Sequence, residues 1–255
     1  MTYAGNMKTK GNTILITGGG TGIGLALAEQ FFKAGNDVII CGRREEKLEE
    51  AKSRIPGIRY LVADVSSLEG REALVKKVIS EFPSVNILVN NAGIQRLVDL
   101  KQGIEAVLAT DNEIDVNLTA VIHLSAWFIP HLMKKQDAAI INISSGLGFI
   151  PLSFMPVYCA TKAALHSFSQ SLRYQLKKTP VKVFEIIPPI VDTDLDKGER
   201  ERRGQKYRGI PPEEVAIEAM KAIEKDEFEF AVGQAVNLVQ GSRQDPEQFF
   251  RNLNP

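Results

Sequence analysis

Short apolar runs alternate along this chain with longer segments of helical period. Thr13–Thr17, Asp37–Cys41, Ile58–Ala63, Asn86–Asn90, Ala138–Ser144 and Val181–Ile187 read as strands, with Glu227–Val232 as the last. Between them, Ile23–Ala34, Glu45–Arg54, Leu68–Phe82, Val157–Lys178 and Pro212–Lys225 read as helices. A further helical stretch runs from Glu105 to Met133, with a break near Thr110–Asp111. The strand runs are continuously hydrophobic rather than alternating, which marks strands covered on both faces. Repeated βα units with right-handed crossovers then predict a doubly wound α/β fold, a parallel sheet of about seven strands flanked by helices.

Composition narrows this further. The chain has 255 residues, 44% of them hydrophobic and 24% charged, which suits one domain over 1–255 with a core that needs no metal or disulfide. Lys+Arg and Asp+Glu both number 31, so nothing in the charge balance points to nucleic acid. Cys41, Cys159, His123, His131 and His166 show no metal-ligand spacing; no metal is expected, and the cysteines read as packed thiols of a reducing, cytoplasmic compartment. Residues 1–11 are polar, lack the apolar stretch of a signal peptide, and read as a flexible N-terminal extension, with Met7 a second candidate start. No stretch reaches the ~18 apolar residues of a membrane span. Val116–Met133 comes closest, but Asn117, Thr119, His123, Ser125 and Pro130 interrupt it.

The first strand runs into Thr17-Gly18-Gly19-Gly20-Thr21-Gly22-Ile23-Gly24 and then a helix. Glycines let the backbone approach a pyrophosphate, and a helix N-terminus offers free N–H groups to it. A Gly-rich loop alone is weak evidence; its place between a first strand and a first helix strengthens it. The spacing, T-G-x-x-x-G-x-G, resembles the short-chain dehydrogenase/reductase family, and with it a single-domain Rossmann fold. The resemblance runs through nearly the whole chain. Within the family, the C-terminal part is similar to a reductase type associated with teichoic-acid D-alanylation genes, an association that names no reaction.

Tyr158 and Lys162 stand at i and i+4, one helical turn apart on one face. A free phenol, with a pKa near 10, is a poor base at neutral pH, and a neighbouring cation lowers that value. The pair is therefore a plausible acid/base unit for an alkoxide. Ser145 follows the strand Ala138–Ser144, and strand ends line the ligand crevice of such sheets. The resemblance implies that Ser145 orients the substrate oxygen and that Tyr158 transfers the proton. It implies that Lys162 lowers the tyrosine pKa and holds the nicotinamide ribose, and that Asn117 supports a proton-relay water. By the same resemblance, Asn91, Ala92 and Gly93 (in Asn90–Gly93) lie near the adenosine ribose and Asp64-Val65 contacts adenine. The resemblance also implies that Pro188, Val191 and Thr193 hold the nicotinamide carboxamide. Pro189 stands where the family has glycine; it removes an N–H and fixes φ, which alters that loop.

Cofactor choice is read from the second strand. Users of NAD place Asp or Glu at its end to accept from the ribose 2′-OH. Here Arg43 and Arg44 follow Gly42 instead, and guanidinium groups suit a 2′-phosphate, so NADP(H) is expected over NAD(H). The partner is then a small-molecule carbonyl or alcohol, with an apolar pocket wall formed by Leu147, Phe149, Ile150, Leu152, Phe154 and Met155. Charge-dense 194–209 reads as a substrate lid. Apolar residues around most of Val116–Met133 suggest a second buried face and a homodimer or homotetramer. Two other readings compete. A silent NADP(H)-binding sensor on this fold should lack Tyr158, Lys162 or Ser145, and all are present. A sugar-nucleotide epimerase should carry T-G-x-x-G-x-x-G and an added substrate domain, and this chain has neither.

Overall fold

The computed structural model describes residues 5–108, 113–195, 204 and 209–254. Seven strands form one sheet: β1 (Thr13–Thr17), β2 (Asp37–Gly42), β3 (Arg59–Val62), β4 (Ile87–Asn90), β5 (Ala138–Ile143), β6 (Val181–Ile187) and β7 (Glu229–Ala231). All neighbours are parallel, in the order β3-β2-β1-β4-β5-β6-β7. Between them lie α1 (Gly22–Lys33), α2 (Glu45–Arg54), α3 (Leu68–Glu81), the single turn α4 (Glu105–Leu108), α5 (Ala120–Leu132), α6 (Pro156–Gln175) and α7 (Pro212–Glu224). Two helices that the sequence pattern did not suggest close the chain, α8 (Ala235–Gln244) and α9 (Pro246–Leu253).

The continuous apolar runs are explained by two cores, one on each face of the sheet. Ile14, Ile16, Ile40, Val89, Ile141 and Ile186 pack with α1 and α7 residues such as Leu27 and Val215. The alternate positions Leu15, Ile39, Leu88, Ile140 and Val183 pack with α3, α5 and α6 residues such as Val78, Phe128 and Leu172. Residues on both faces of β1, β4, β5 and β6 are thus out of water, while the edge strands β3 and β7 stay partly exposed. Proline and short polar residues set several helix starts. Ser67 Oγ accepts from Gly70 N at the start of α3, Asp245 Oδ1 accepts from Gln248 N at α9, and prolines open α6, α7 and α9.

Three expectations change or fall outside view. Residues 6–11 are not a free extension: Met7 is 3% exposed and donates its N–H to Asp226, Asn6 bonds the Glu224 carbonyl, and Lys8 pairs with Asp137. The helix expected from Glu105 becomes α4, then a wide π-helical turn over Asp115–Thr119 that runs into α5. The expected break near Thr110–Asp111, and residues 196–203 and 205–208 of the expected lid, lie outside the described residues.

Candidate functional site

In the strand order, the chain leaves β1 toward β2 and β3 on one side and resumes at β4 on the other. Ligands of open α/β sheets bind at this reversal, beyond the carboxyl ends of the strands. Thr17, at the end of β1, ties the two halves together. Its Oγ1 accepts the N–H groups of Asn91 and Ala92, both at 3.0 Å, and Asn91 Nδ2 returns to the carbonyls of Thr17 and Gly18.

The glycine loop wraps tightly over this junction. Gly18 has φ +64°, and a Cβ there would sit 2.9 Å from Ala92 Cα. A Cβ on Gly24 would overlap the Gly18 carbonyl and Asn91 Nδ2, so only glycine lets the first turn of α1 close onto the loop. Gly22 lies against Thr193, which brings the loop beside the segment after β6. Gly20, Thr21 and Ile23 complete the turn. Thr21 opens α1 without capping it by its side chain, and no acidic residue sits in the first turn. The amide end of the helix is therefore available to an anion. The donor set fits a dinucleotide pyrophosphate.

Arg43 and Arg44 are exposed just past β2, beside the acidic first turn of α2. Arg43 stands near Asp64. Burial acts to raise the Asp64 carboxyl, but hydrogen bonds from Ser66 and the charges of Arg43 and Arg71 outweigh it and hold the group below its usual range. Val65 is buried, and its carbonyl accepts from Arg71 at 2.7 Å.

Tyr158 and Lys162 lie on the buried face of α6, each 5% exposed, with Lys162 Nζ 5.7 Å from the centre of the Tyr158 ring. Lys162 Nζ donates to the Ile143 carbonyl at 2.9 Å. Burial drives its ammonium down to about 8, and the charge of Glu185 opposes that drop. A Cβ on Gly93 would lie 3.4 Å from Asn117 Oδ1 and 3.8 Å from Lys162 Nζ, so the chain after β4 forms a floor between these groups. Asn117 is fully buried in the π-helical turn. It pairs through both amide atoms with the Ile94 backbone and donates to Thr161 Oγ1 at 3.1 Å. A π turn of this kind adds a residue to the helix and re-aims its side chains.

Ser145 follows β5 and caps the short 3₁₀ turn Gly146–Gly148 by accepting the Leu147 N–H at 3.1 Å. That turn packs on the Lys162 backbone at Gly148, while Ser144 is tied to Ile186. Pro188 accepts the Gly146 N–H, and Val191 bridges to Ile210, so the loop containing Pro189 is anchored at both ends. Leu97, Leu147, Leu152 and Phe154 pack around Met155, Tyr158 and Cys159 and give the tyrosine an apolar surround. Ile150 is buried, and Phe149 packs instead with Ile187, Ala235 and Val239. Cys41 and Cys159 are buried and form no disulfide; Cys159 Sγ accepts the Leu152 N–H at 3.3 Å, and burial pushes Cys41 up to about 12 and raises Cys159, so both are inert thiols.

Sequence reasoning missed one group near this site. His166 Nδ1 lies 2.8 Å from Glu185 Oε2, and donor atoms of His166, Glu185 and Glu229 all fall within 4.8 Å of one another. The signal was present: Glu185 stands inside the run Val181–Ile187, where a charge must find a partner. Among the described residues, no helix is long and apolar enough to cross a membrane.

Residues 12–204 match the family described as short chain dehydrogenase. The chain is 47% identical over 248 residues to the uncharacterized oxidoreductase DltE of Bacillus subtilis (strain 168), covering 97% of this chain and 98% of that one. It also resembles a solved short chain dehydrogenase from Burkholderia cenocepacia J2315 in complex with NADP, with a TM-score of 0.82 at 25% identity over 97% of this chain and 99% of that chain. A short chain dehydrogenase/reductase from Burkholderia phymatum in complex with NAD shares the fold, with a TM-score of 0.81 at 22% identity over 97% of both chains.

Proposed function

The chain belongs to the short chain dehydrogenase family, and from that premise we propose that it moves a hydride between NADPH and the carbonyl carbon of an apolar ketone or aldehyde, with Tyr158 as general acid. As a family member it is an NAD(P)-dependent oxidoreductase. The observation that carries the finer reading is the gathering of Tyr158, Lys162, Asn117 and Gly93 at the carboxyl ends of β4 and β5. When bound, the nicotinamide supplies the hydride.

The protein's own work is to hold the oxygen, deliver one proton and exclude water. Ser145 presents a hydroxyl at the end of β5 that can donate to the substrate oxygen. Tyr158 gives its phenolic proton to that oxygen as the carbon is reduced, leaving a phenolate. The Lys162 ammonium stabilises that phenolate through space, more strongly in a buried site than in water. Asn117 holds the chain after β4 against α6, and thus the floor of the cleft.

Thr17, Gly18, Gly20, Thr21, Gly22, Ile23 and Gly24 would hold the pyrophosphate. Asp64, Val65, Asn91, Ala92 and Gly93 would line the adenosine, and Pro188, Val191 and Thr193 the carboxamide. Arg43 and Arg44 favour the 2′-phosphate; the NADP complex of the Burkholderia cenocepacia structure supports that choice. The apolar residues around Tyr158 favour an apolar substrate. Exposed Ile122 on α5, Met133 just past its end and Tyr174 on α6 favour a homodimer or homotetramer. Two buried, unpaired thiols suit a reducing cytoplasm. A silent NADP(H) sensor has no use for a buried Tyr–Lys pair.

The test is a panel of apolar ketones, aldehydes and quinones with NADPH. One alcohol formed per NADPH oxidised is expected for at least one carbonyl. NADPH binding without turnover across the panel overturns the reading.

A further inference from the structure

A polar row crosses the otherwise apolar sheet. Pairing in register sets Asn90, Asn142, Glu185 and Glu229 side by side on β4, β5, β6 and β7. Their side chains therefore share one face of the sheet, and α6 covers it. Asn90 Nδ2 donates to Asn142 Oδ1 and Asn142 Nδ2 to Ser169 Oγ, both at 2.9 Å; His166 meets Glu185. Asn90 Oδ1 and Glu185 Oε1 are both left without a hydrogen-bond partner. Of the two residues only Glu185 is ionisable, and it is 0% exposed. A buried carboxylate is costly unless a cation answers it.

The nearest catalytic cation stands one turn before His166 on α6. Lys162 is pinned to the carbonyl of Ile143, and Ile143 pairs with Ile186, the residue after Glu185. Helix and sheet thus deliver the ammonium and the carboxylate to the same end of the same layer. We propose that Glu185, held by His166, is a positioning residue for Lys162, its buried carboxylate supplying the counter-charge that keeps the ammonium protonated beside Tyr158. This rests on the role given to Lys162 above.

The other charges around Glu185 are engaged with further partners. Arg173 on α6 donates to the carbonyls of Val183 and Phe228. Glu229 on β7 pairs with Arg243 on α8 at 2.7 Å. His166 is raised above its usual range by its hydrogen bond to Glu185, against burial, and its ring lies 4.5 Å from that of Phe149. The pair therefore also touches the substrate-side segment after β5. Glu229 is committed to Arg243, so among the described residues burial would be the main influence left on Lys162 without Glu185, in the deprotonating direction.

Competitive labelling of Lys162 by an amine reagent across pH, read by mass spectrometry on the full chain, tests this without turnover. Glu185→Gln keeps the shape and removes the charge; Glu185→Met removes the same charge in an apolar form that a buried site tolerates. Both should lower the Lys162 midpoint by about one unit, while Glu185→Asp should stay closer to the wild type. With a reducible carbonyl, the alkaline limb of kcat/KM should move down with the midpoint, whereas a purely structural loss would lower kcat/KM at every pH and leave the limb in place. A wild type that reduces no carbonyl would overturn the functional reading alone, because the labelling does not depend on it. A midpoint unmoved in whichever neutral variant folds, or lowered equally in Glu185→Asp, overturns the proposal.

Discussion

Replacing Arg43 with alanine removes a cation from beyond β2 without touching either core. Arg43 is exposed, and the neighbouring chain is fixed by β2–β3 pairing, so the fold should not notice the change. The 2′-phosphate would. A charge-assisted hydrogen bond to phosphate is worth about 1.5–3 kcal/mol. Two features push the value here to the low end. Solvent and salt screen an exposed guanidinium, and Asp64 already shares part of its charge. About 1.4 kcal/mol corresponds to tenfold, so the wild type should prefer NADPH over NADH by at least about tenfold in kcat/KM. Arg43→Ala should lose most of that preference through a higher KM for NADPH, with kcat and the NADH parameters nearly unchanged. Arg44 remains, so a small residue of preference is expected. The assay is steady-state kinetics with both cofactors, on both proteins, at two ionic strengths; the wild-type preference should shrink at the higher one. Equal efficiency of the wild type with both cofactors, or an alanine variant that keeps the full preference, would refute the reasoning.

Three further outcomes follow from the same geometry. Gly24→Ala drives a methyl into the Gly18 carbonyl and Asn91, so NADPH should bind at least about tenfold more weakly, at the cost of overpacking by about 1–3 kcal/mol; fluorescence titration that shows an unchanged Kd would contradict this. Lys162 must be charged to act on Tyr158 and is lowered to about 8, so kcat/KM for reduction should hold from neutrality to about 8 and fall above it; a profile flat to pH 10 would count against the role, since pH 10 is near where a free phenol titrates. Light scattering at micromolar concentration should give a dimer or tetramer mass, covering Ile122 and Met133; a monomer would leave that apolar face unexplained.

The doubly wound sheet was legible because both faces of its central strands are buried, which writes them as largely apolar runs rather than alternating ones. β1, β6 and α2 match the sequence expectation to the residue, and most other ends moved by one or two, where capping and fraying decide. The site motifs were legible because they are local: a glycine loop, a Tyr–Lys turn, a serine at a strand end. What the sequence hid depends on tertiary contact. Asn117 sits in a π turn because Ile94 and Thr161 claim its amide from across the site. His166 and Glu185 meet only through the register of β6 under α6. Met7 looks like part of a polar tail, yet its side chain completes the core under β1. α8 and α9 are half polar in sequence, and their start signals, Asp245-Pro246 above all, carry weight only once the body they cover is known.

Single-turnover and steady-state kinetics of Tyr158→Phe bear most directly on the central claim. The tyrosine is 5% exposed in an apolar surround, so losing one hydroxyl should leave the fold and NADPH binding intact. Loss of a general acid should slow carbonyl reduction by roughly 10²–10⁴-fold. A variant that binds NADPH normally and turns over at that reduced rate is the predicted result; one that binds NADPH and reduces the carbonyl at the wild-type rate would contradict the account.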